Sequence, residues 1–235
     1  MKIKLVLSTL ILTFAISFVA MSQQKSEPEF KLVQFQMALL KRAPHTEKQG
    51  SANMTALHAE HVAYIKSLFE SGKVVIAGPL AEDGDIRGVT IFRTNSPEEA
   101  KALAANDPLV KAGFFTVEMH PWWSEEVMKK PTFPLKMTTA YLAFLVRGAK
   151  WTPEKTPQTE ELQKAHLANI NRLAEMKKLV VAGPFGDNGE LRGIFVFKVN
   201  SLDEAKSLAE TDPMVQAGRL AIIMHTWSVP EGVLP

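Results

Sequence analysis

His61 and His166 stand 105 residues apart, and each is followed 46 residues later by an aspartate, Asp107 or Asp212. Histidine is the side chain that most readily gives and takes a proton near neutral pH. An imidazole oriented by a carboxylate is therefore a candidate acid–base pair. Arg87 and Arg192 recur at the same offset, and a guanidinium at the mouth of a cleft can hold a substrate carboxylate. The bland alternative is equally physical. Arg87 has Asp83 and Asp85 beside it, Arg192 has Asp187 and Glu190, and ion pairs within each loop would occupy both arginines. Gly78-Pro79 and Gly183-Pro184 repeat too, and read as turn-forming backbone that lines a substrate-binding site without doing chemistry.

Other chemistries find little support. His58 precedes His61 by three residues, a metal-ligand spacing on a helix, but the second copy has Gln163 there and no metal site is expected. The chain has no cysteine, which excludes disulfides, thiolate ligands, a cysteine nucleophile and a lipidated cysteine. There is no nucleophile elbow and no phosphate-binding glycine motif, so no cofactor is expected.

These residues sit inside a duplication. Residues 61–122 align with 166–227 without a gap, and 29 of the 62 positions are identical. A period of 105 residues is too long for a solenoid unit, so each copy should be a small domain. Each has the same pattern. A first strand (31–40 or 139–148) is followed by a helix (53–71 or 158–177). A short apolar strand then ends in Gly-Pro, and a hairpin loop leads to a third strand. Last come a helix opened by a capping box (Ser96 with Glu99, Ser201 with Glu204) and a final strand. The order is βαββαβ, an α+β fold of the ferredoxin-like type. Two helices cover one sheet face. The other faces of the two copies can bury each other, giving a pseudo-dimeric α+β barrel within one chain. The domains read as 30–122 and 137–229, joined by a linker over 123–136 and followed by a tail, 230–235.

Tracing this topology brings His61, Gly78, Arg87 and Asp107 to one end of the first copy, and His166, Gly183, Arg192 and Asp212 to one end of the second. His120 and His225 go to the opposite end as strand-end packing beside Trp122 and Trp227. His61 shares a helical stripe with Leu57, Ile65 and Leu68, so it faces the sheet and needs a polar partner. It is either an acid–base residue or a satisfied core histidine. Asp107 opens DPLVKAG and Asp212 opens DPMVQAG; each has Asp at the N-cap, Pro next and Gly after the turn. Each aspartate thus has a structural task as a cap, which is the simpler reading, and can orient the imidazole as well.

The N-terminus reads as a secretory signal. Lys2 and Lys4 precede an apolar run from Leu5 to Val19, and small residues at 20–22 suit cleavage, leaving a short linker at 23–29. The expectation is an exported protein, periplasmic or secreted, with no stable membrane anchor after cleavage. Loss of the two lysines leaves 25 basic against 25 acidic residues, so nucleic acid is not an expected partner. The expected partner is a small molecule, and association beyond the intrachain pseudo-dimer is open.

With His on the first helix, Ala-Gly-Pro after the second strand and D-P-x-V-x-A-G before the last, each copy resembles the YCII-related (YciI-like) family over about 30–122 and 139–227. The resemblance implies a ferredoxin-like fold paired into an α+β barrel. It also implies a His/Asp active site, which by position is His61 with Asp107 and His166 with Asp212. One relative removes HCl from a chlorinated hydroxyquinol. A cofactor-independent lyase or isomerase step on a small molecule follows as the expected activity, with a non-catalytic binding or assembly module as the alternative.

Overall fold

The computed structural model describes residues 31–44 and 53–235. The signal (1–22), the linker at 23–29 and part of the loop after the first strand lie outside the described residues. Residues 31–235 form one compact unit containing both copies.

The first copy consists of β1 (Leu32–Arg42), α1 (Met54–Glu70), β2 (Val74–Pro79), β3 (Ile86–Phe92), α2 (Pro97–Ala105), the single turn α3 (Pro108–Lys111) and β4 (Phe115–Glu125). The second repeats it as β5 (Met137–Arg147), α4 (Pro157–Glu175), β6 (Leu179–Pro184), β7 (Leu191–Phe197), α5 (Leu202–Ala209), α6 (Pro213–Gln216) and β8 (Leu220–Pro230). The sheets are antiparallel, ordered β2-β3-β1-β4 and β6-β7-β5-β8, the arrangement of a ferredoxin-like βαββαβ unit. The repeated turns DPLVKAG and DPMVQAG each pass out of their single helical turn through a glycine at positive φ, Gly113 at 79° and Gly218 at 73°. A side chain bearing Cβ is disfavoured there.

Alternation along the central strands assigns two faces to each sheet. Phe35, Met37 and Leu39 of β1 and their counterparts Ala140, Leu142 and Phe144 of β5 share one core between the sheets. Ala38 and Ala143 face the helices, in two separate cores. Sheet edges also meet at two symmetric corners. Leu80 bridges to Trp227, and Trp122 to Phe185. The Ala81 amide donates to the Thr226 carbonyl at 2.9 Å, and the Gly186 amide to the Pro121 carbonyl at 2.7 Å. The eight strands therefore close into a barrel, and no open edge is left at these corners.

Three details add to or correct the sequence reading. The segment 123–136 is not all linker, because β4 continues to Glu125. The tail, 230–235, packs into the fold: Val233 and Leu234 are buried in the inter-sheet core, as is Met128, the counterpart of Val233. Finally, Ser96 and Ser201 cap α2 and α5 by accepting from the Glu99 and Glu204 amides, but the boxes are not reciprocal. Glu99 turns to Lys73 and Thr94, and Glu204 to Lys178 and the Asn200 amide, where charge-assisted bonds are stronger.

Candidate active site

His61 lies in the middle of α1 and Asp107 caps α3, and packing of these elements brings His61 Nδ1 to 2.7 Å from Asp107 Oδ2. Asp107 is buried and uses both oxygens: Oδ1 accepts from the Leu109 amide at 2.9 Å as the cap, while Oδ2 faces the imidazole. The second copy repeats this, with His166 Nδ1 at 2.6 Å from Asp212 Oδ2 and Asp212 Oδ1 accepting from the Met214 amide at 2.9 Å. An ionised carboxylate only accepts, which assigns the bridging proton to Nδ1 and leaves Nε2 of a neutral ring with its lone pair. One aspartate thus serves as cap and orienter at once. Asp107→Ala is expected to lower stability by about 2 kcal/mol, by loss of the cap and of a buried bond. Asp107→Asn, which keeps an acceptor for the Leu109 amide, should lose less; denaturant titration of the two variants checks this.

Strand register delivers the other residues expected at this end to it, with Ile86 opposite Lys41 and Phe115 opposite Arg42, but they take partners other than the dyad. Gly78-Pro79 and Gly183-Pro184 lie at the corners where the copies meet. The Gly78 carbonyl accepts from Trp227 Nε1 and the Gly183 carbonyl from Trp122 Nε1, both at 3.1 Å. A Cβ on Gly78 would sit 1.7 Å from the Ser228 carbonyl oxygen, which explains the glycine without any ligand. Arg87 donates to Asp83 Oδ1 at 2.8 Å and to the Glu82 carbonyl at 2.9 Å, the local pairing that the sequence allowed. Among the described residues Arg192 makes no such pair; its Nη1 lies 3.5 Å from the Asp187 carbonyl.

His120 and His225 correct the expectation of strand-end packing. They occupy the middle of their 11-residue strands and reach across the corners. His120 Nδ1 lies 2.7 Å from Asp187 Oδ2 and His225 Nδ1 3.2 Å from Glu82 Oε2. His120 Nε2 also stands 3.0 Å from Glu118, which pairs with Lys41 as well. Glu82 and Asp187 are equivalent positions, so the symmetric pairing tethers one copy to the other. Burial pushes the Glu82 carboxyl up, but the Thr226 amide and the His225 contact outweigh it and hold it below its ordinary value of 4.5. Bonding to Lys41 likewise lowers Glu118, against the opposing effect of burial. A carboxyl depressed on folding stabilises above its unfolded pKa, and that contribution is lost as pH falls through the folded value. Wild-type stability should therefore fall below pH 4.5 more steeply than that of Glu82→Gln or Glu118→Gln, as read from denaturant midpoints across the acid range.

The YCII-related domain family matches this chain twice, over residues 35–122 and 143–224. The chain belongs to the YCII-related family. Among its relatives, the uncharacterized protein YjpA of Bacillus subtilis (strain 168) is 31% identical over 78 residues, spanning 32% of this chain and 89% of that protein. Solved structures with a similar fold include a variant of chlorite dismutase from Candidatus Nitrospira defluvii, with TM-score 0.55 and 12% identity over 85% of this chain and 92% of that one. A heme-binding protein from Thermus thermophilus gives TM-score 0.51 and 15% identity over 86% and 94%. At these identities the likeness speaks for the fold, a barrel of two ferredoxin-like units.

The two YCII-related copies are not equivalent around their dyads. In the first, a narrow hollow of about 10 Å³ lies between helices and sheet, with Asp107, Tyr64 and Thr90 among apolar walls that include Leu68 and Phe92; His61 does not line it. Tyr64 donates to the Leu103 carbonyl at 2.8 Å; burial and then the Asp107 charge push its phenol up, so it stays a neutral donor. In the second copy Tyr64 is replaced by Asn169 and Thr90 by Phe195. Phe195 stacks on the His166 ring at 5.9 Å and 22°, and the His166 side chain is 12% exposed against 22% for His61. Both substitutions are visible in the aligned copies, but only packing reveals that they face the dyads.

Proposed function

We propose that this tandem YCII-related protein is a cofactor-independent acid–base enzyme of lyase or isomerase type whose working dyad is His61–Asp107. The supporting observation is the difference between the copies: Thr90 borders a hollow that Asp107 helps to wall, where Phe195 covers His166. The hollow is too small to hold a substrate, so the substrate proposed is a small molecule with one acidic C–H or O–H that meets His61, 22% exposed, from the solvent side. Nε2 of His61 takes that proton; Asp107 keeps Nδ1–H in place and stabilises the imidazolium, which then returns the proton to the leaving group or to another carbon. Tyr64 adds a neutral hydroxyl at the wall. We place the protein outside the cytoplasm on the strength of residues 1–22.

Heme, named for the Thermus thermophilus relative, does not suit the hollow. The free space there is about 10 Å³, and side chains from both helices and sheet crowd it. Ligand pockets for drug-sized molecules start at about 300 Å³. A structural role for the second dyad is favoured by the Phe195 stack, which makes His166–Asp212 a satisfied pair that ties α4 to α6.

The test is a panel of small enolisable and hydroxylated compounds in deuterated buffer, followed by NMR for loss of a C–H signal or appearance of an elimination product. The reading predicts turnover by the wild type and by His166→Ala, and none by His61→Ala. Equal activity in all three would contradict it.

A further inference from the structure

Position 83 is an aspartate, but its counterpart at 188 is an asparagine. In the first copy Asp83 Oδ1 accepts from two guanidinium groups, that of Arg42 at 2.5 Å and that of Arg87 at 2.8 Å. The corresponding arginines of the second copy are Arg147 and Arg192, and among the described residues neither has a carboxylate partner. Arg147 Nη2 donates to the Asn188 carbonyl at 2.6 Å, a neutral acceptor, and Arg192 reaches only the Asp187 carbonyl, at 3.5 Å. The nearby acids do not make up the difference. The Asp187 carboxylate is engaged by His120 and the Gly189 amide, and the exposed Glu190 pairs with neither arginine.

The two unpaired charges converge on one ring. The Arg147 guanidinium carbon stands 3.9 Å from the centroid of Trp151, and that of Arg192 5.9 Å. Arg147 is held by this stacking and by the Asn188 carbonyl, and its buried Nε has no partner. All three side chains remain partly exposed. Two guanidinium groups brought to one ring repel each other, an anion nearby relieves that repulsion, and a fixed guanidinium loses little freedom on binding one.

We propose that Arg147, Arg192 and Trp151 form an oxyanion-binding site in the second copy, for a carboxylate or phosphate group. Asp83 fills the equivalent place in the first copy with the protein's own carboxylate. The site is independent of the chemistry proposed for His61.

The experiment titrates the full chain with sodium acetate and, separately, with sodium phosphate, against sodium chloride at matched ionic strength, following the Trp151 indole N–H by NMR. The expected result is a saturable shift with one or both oxyanions. Saturation by acetate alone assigns the site to carboxylates, by phosphate alone to phosphates, and by both to either group. Asn188→Asp, an exposed change that supplies the missing carboxylate, should weaken binding at least tenfold, and Arg192→Gln should do so by removing one donor. A shift that does not saturate, or one that persists unchanged in Asn188→Asp and Arg192→Gln, overturns the proposal.

Discussion

Gly78→Ala is expected to destabilise the whole chain by about 3 kcal/mol, near the upper end of overpacking costs. The added Cβ would lie 1.7 Å from the Ser228 carbonyl oxygen, and the equivalent atom on Gly183 1.8 Å from that of Trp123. These are backbone atoms in paired strands: Ser228 is held opposite Thr139, and Trp123 opposite Gln34. Neither can step aside as a flexible side chain would. Shifting either strand also disturbs the Trp–Gly hydrogen bond at that corner and the fully buried indole that makes it. Because the inter-sheet core is shared, the loss should appear as a lower midpoint for a single transition of both copies, measured by denaturant with tryptophan fluorescence and circular dichroism. Gly84→Ala is the control: nothing lies within 4 Å of its Cβ, and the change should stay within about 0.5 kcal/mol. If Gly78→Ala behaved like Gly84→Ala, the corners would not hold the barrel as described.

His61→Ala is expected to lower turnover by about 10²- to 10⁴-fold, the usual worth of a positioned general acid or base. The same change at His166 should leave turnover within a few-fold of wild type. Stability supplies the cross-check, because both variants abandon a buried carboxylate. Asp212 is fully buried and Asp107 nearly so, so each variant should lose at least about 1 kcal/mol. Loss of activity in His61→Ala alone, with both variants folded and weakened, separates the catalytic imidazole from the structural one. Thr90→Phe extends the argument by giving the first copy the ring that covers His166. It should suppress turnover without touching the dyad.

The sequence carried the fold unusually far because the chain states it twice. An ungapped repeat fixes equivalent positions, and alternation in Phe35-Gln36-Met37-Ala38-Leu39 fixes which face is inward. The His61–Asp107 contact was legible from topology, since the first half of one helix and the cap of a later turn had to meet at one end of the sheet. The reason for Gly78 was not legible, because a glycine at a strand end looks the same whether a ligand or another strand approaches it. His120 was misplaced because its partner, Asp187, belongs to the other copy, and pairing across the barrel corners leaves no mark in local spacing. Tyr64, Thr90 and Phe195 were missed because they lie at ordinary core positions, where only the packed structure shows what each one faces.

The most direct test of an accessible acid–base imidazole in the first copy needs no substrate. Brief treatment of the native protein with an acylating reagent selective for free imidazole nitrogen, followed by peptide mass spectrometry, reports the reactivity of each histidine. The account predicts that His61 reacts faster than His166, and that Thr90→Phe slows His61 toward the rate of His166. Equal rates at the two histidines in the wild type, or an unreactive His61, would contradict it.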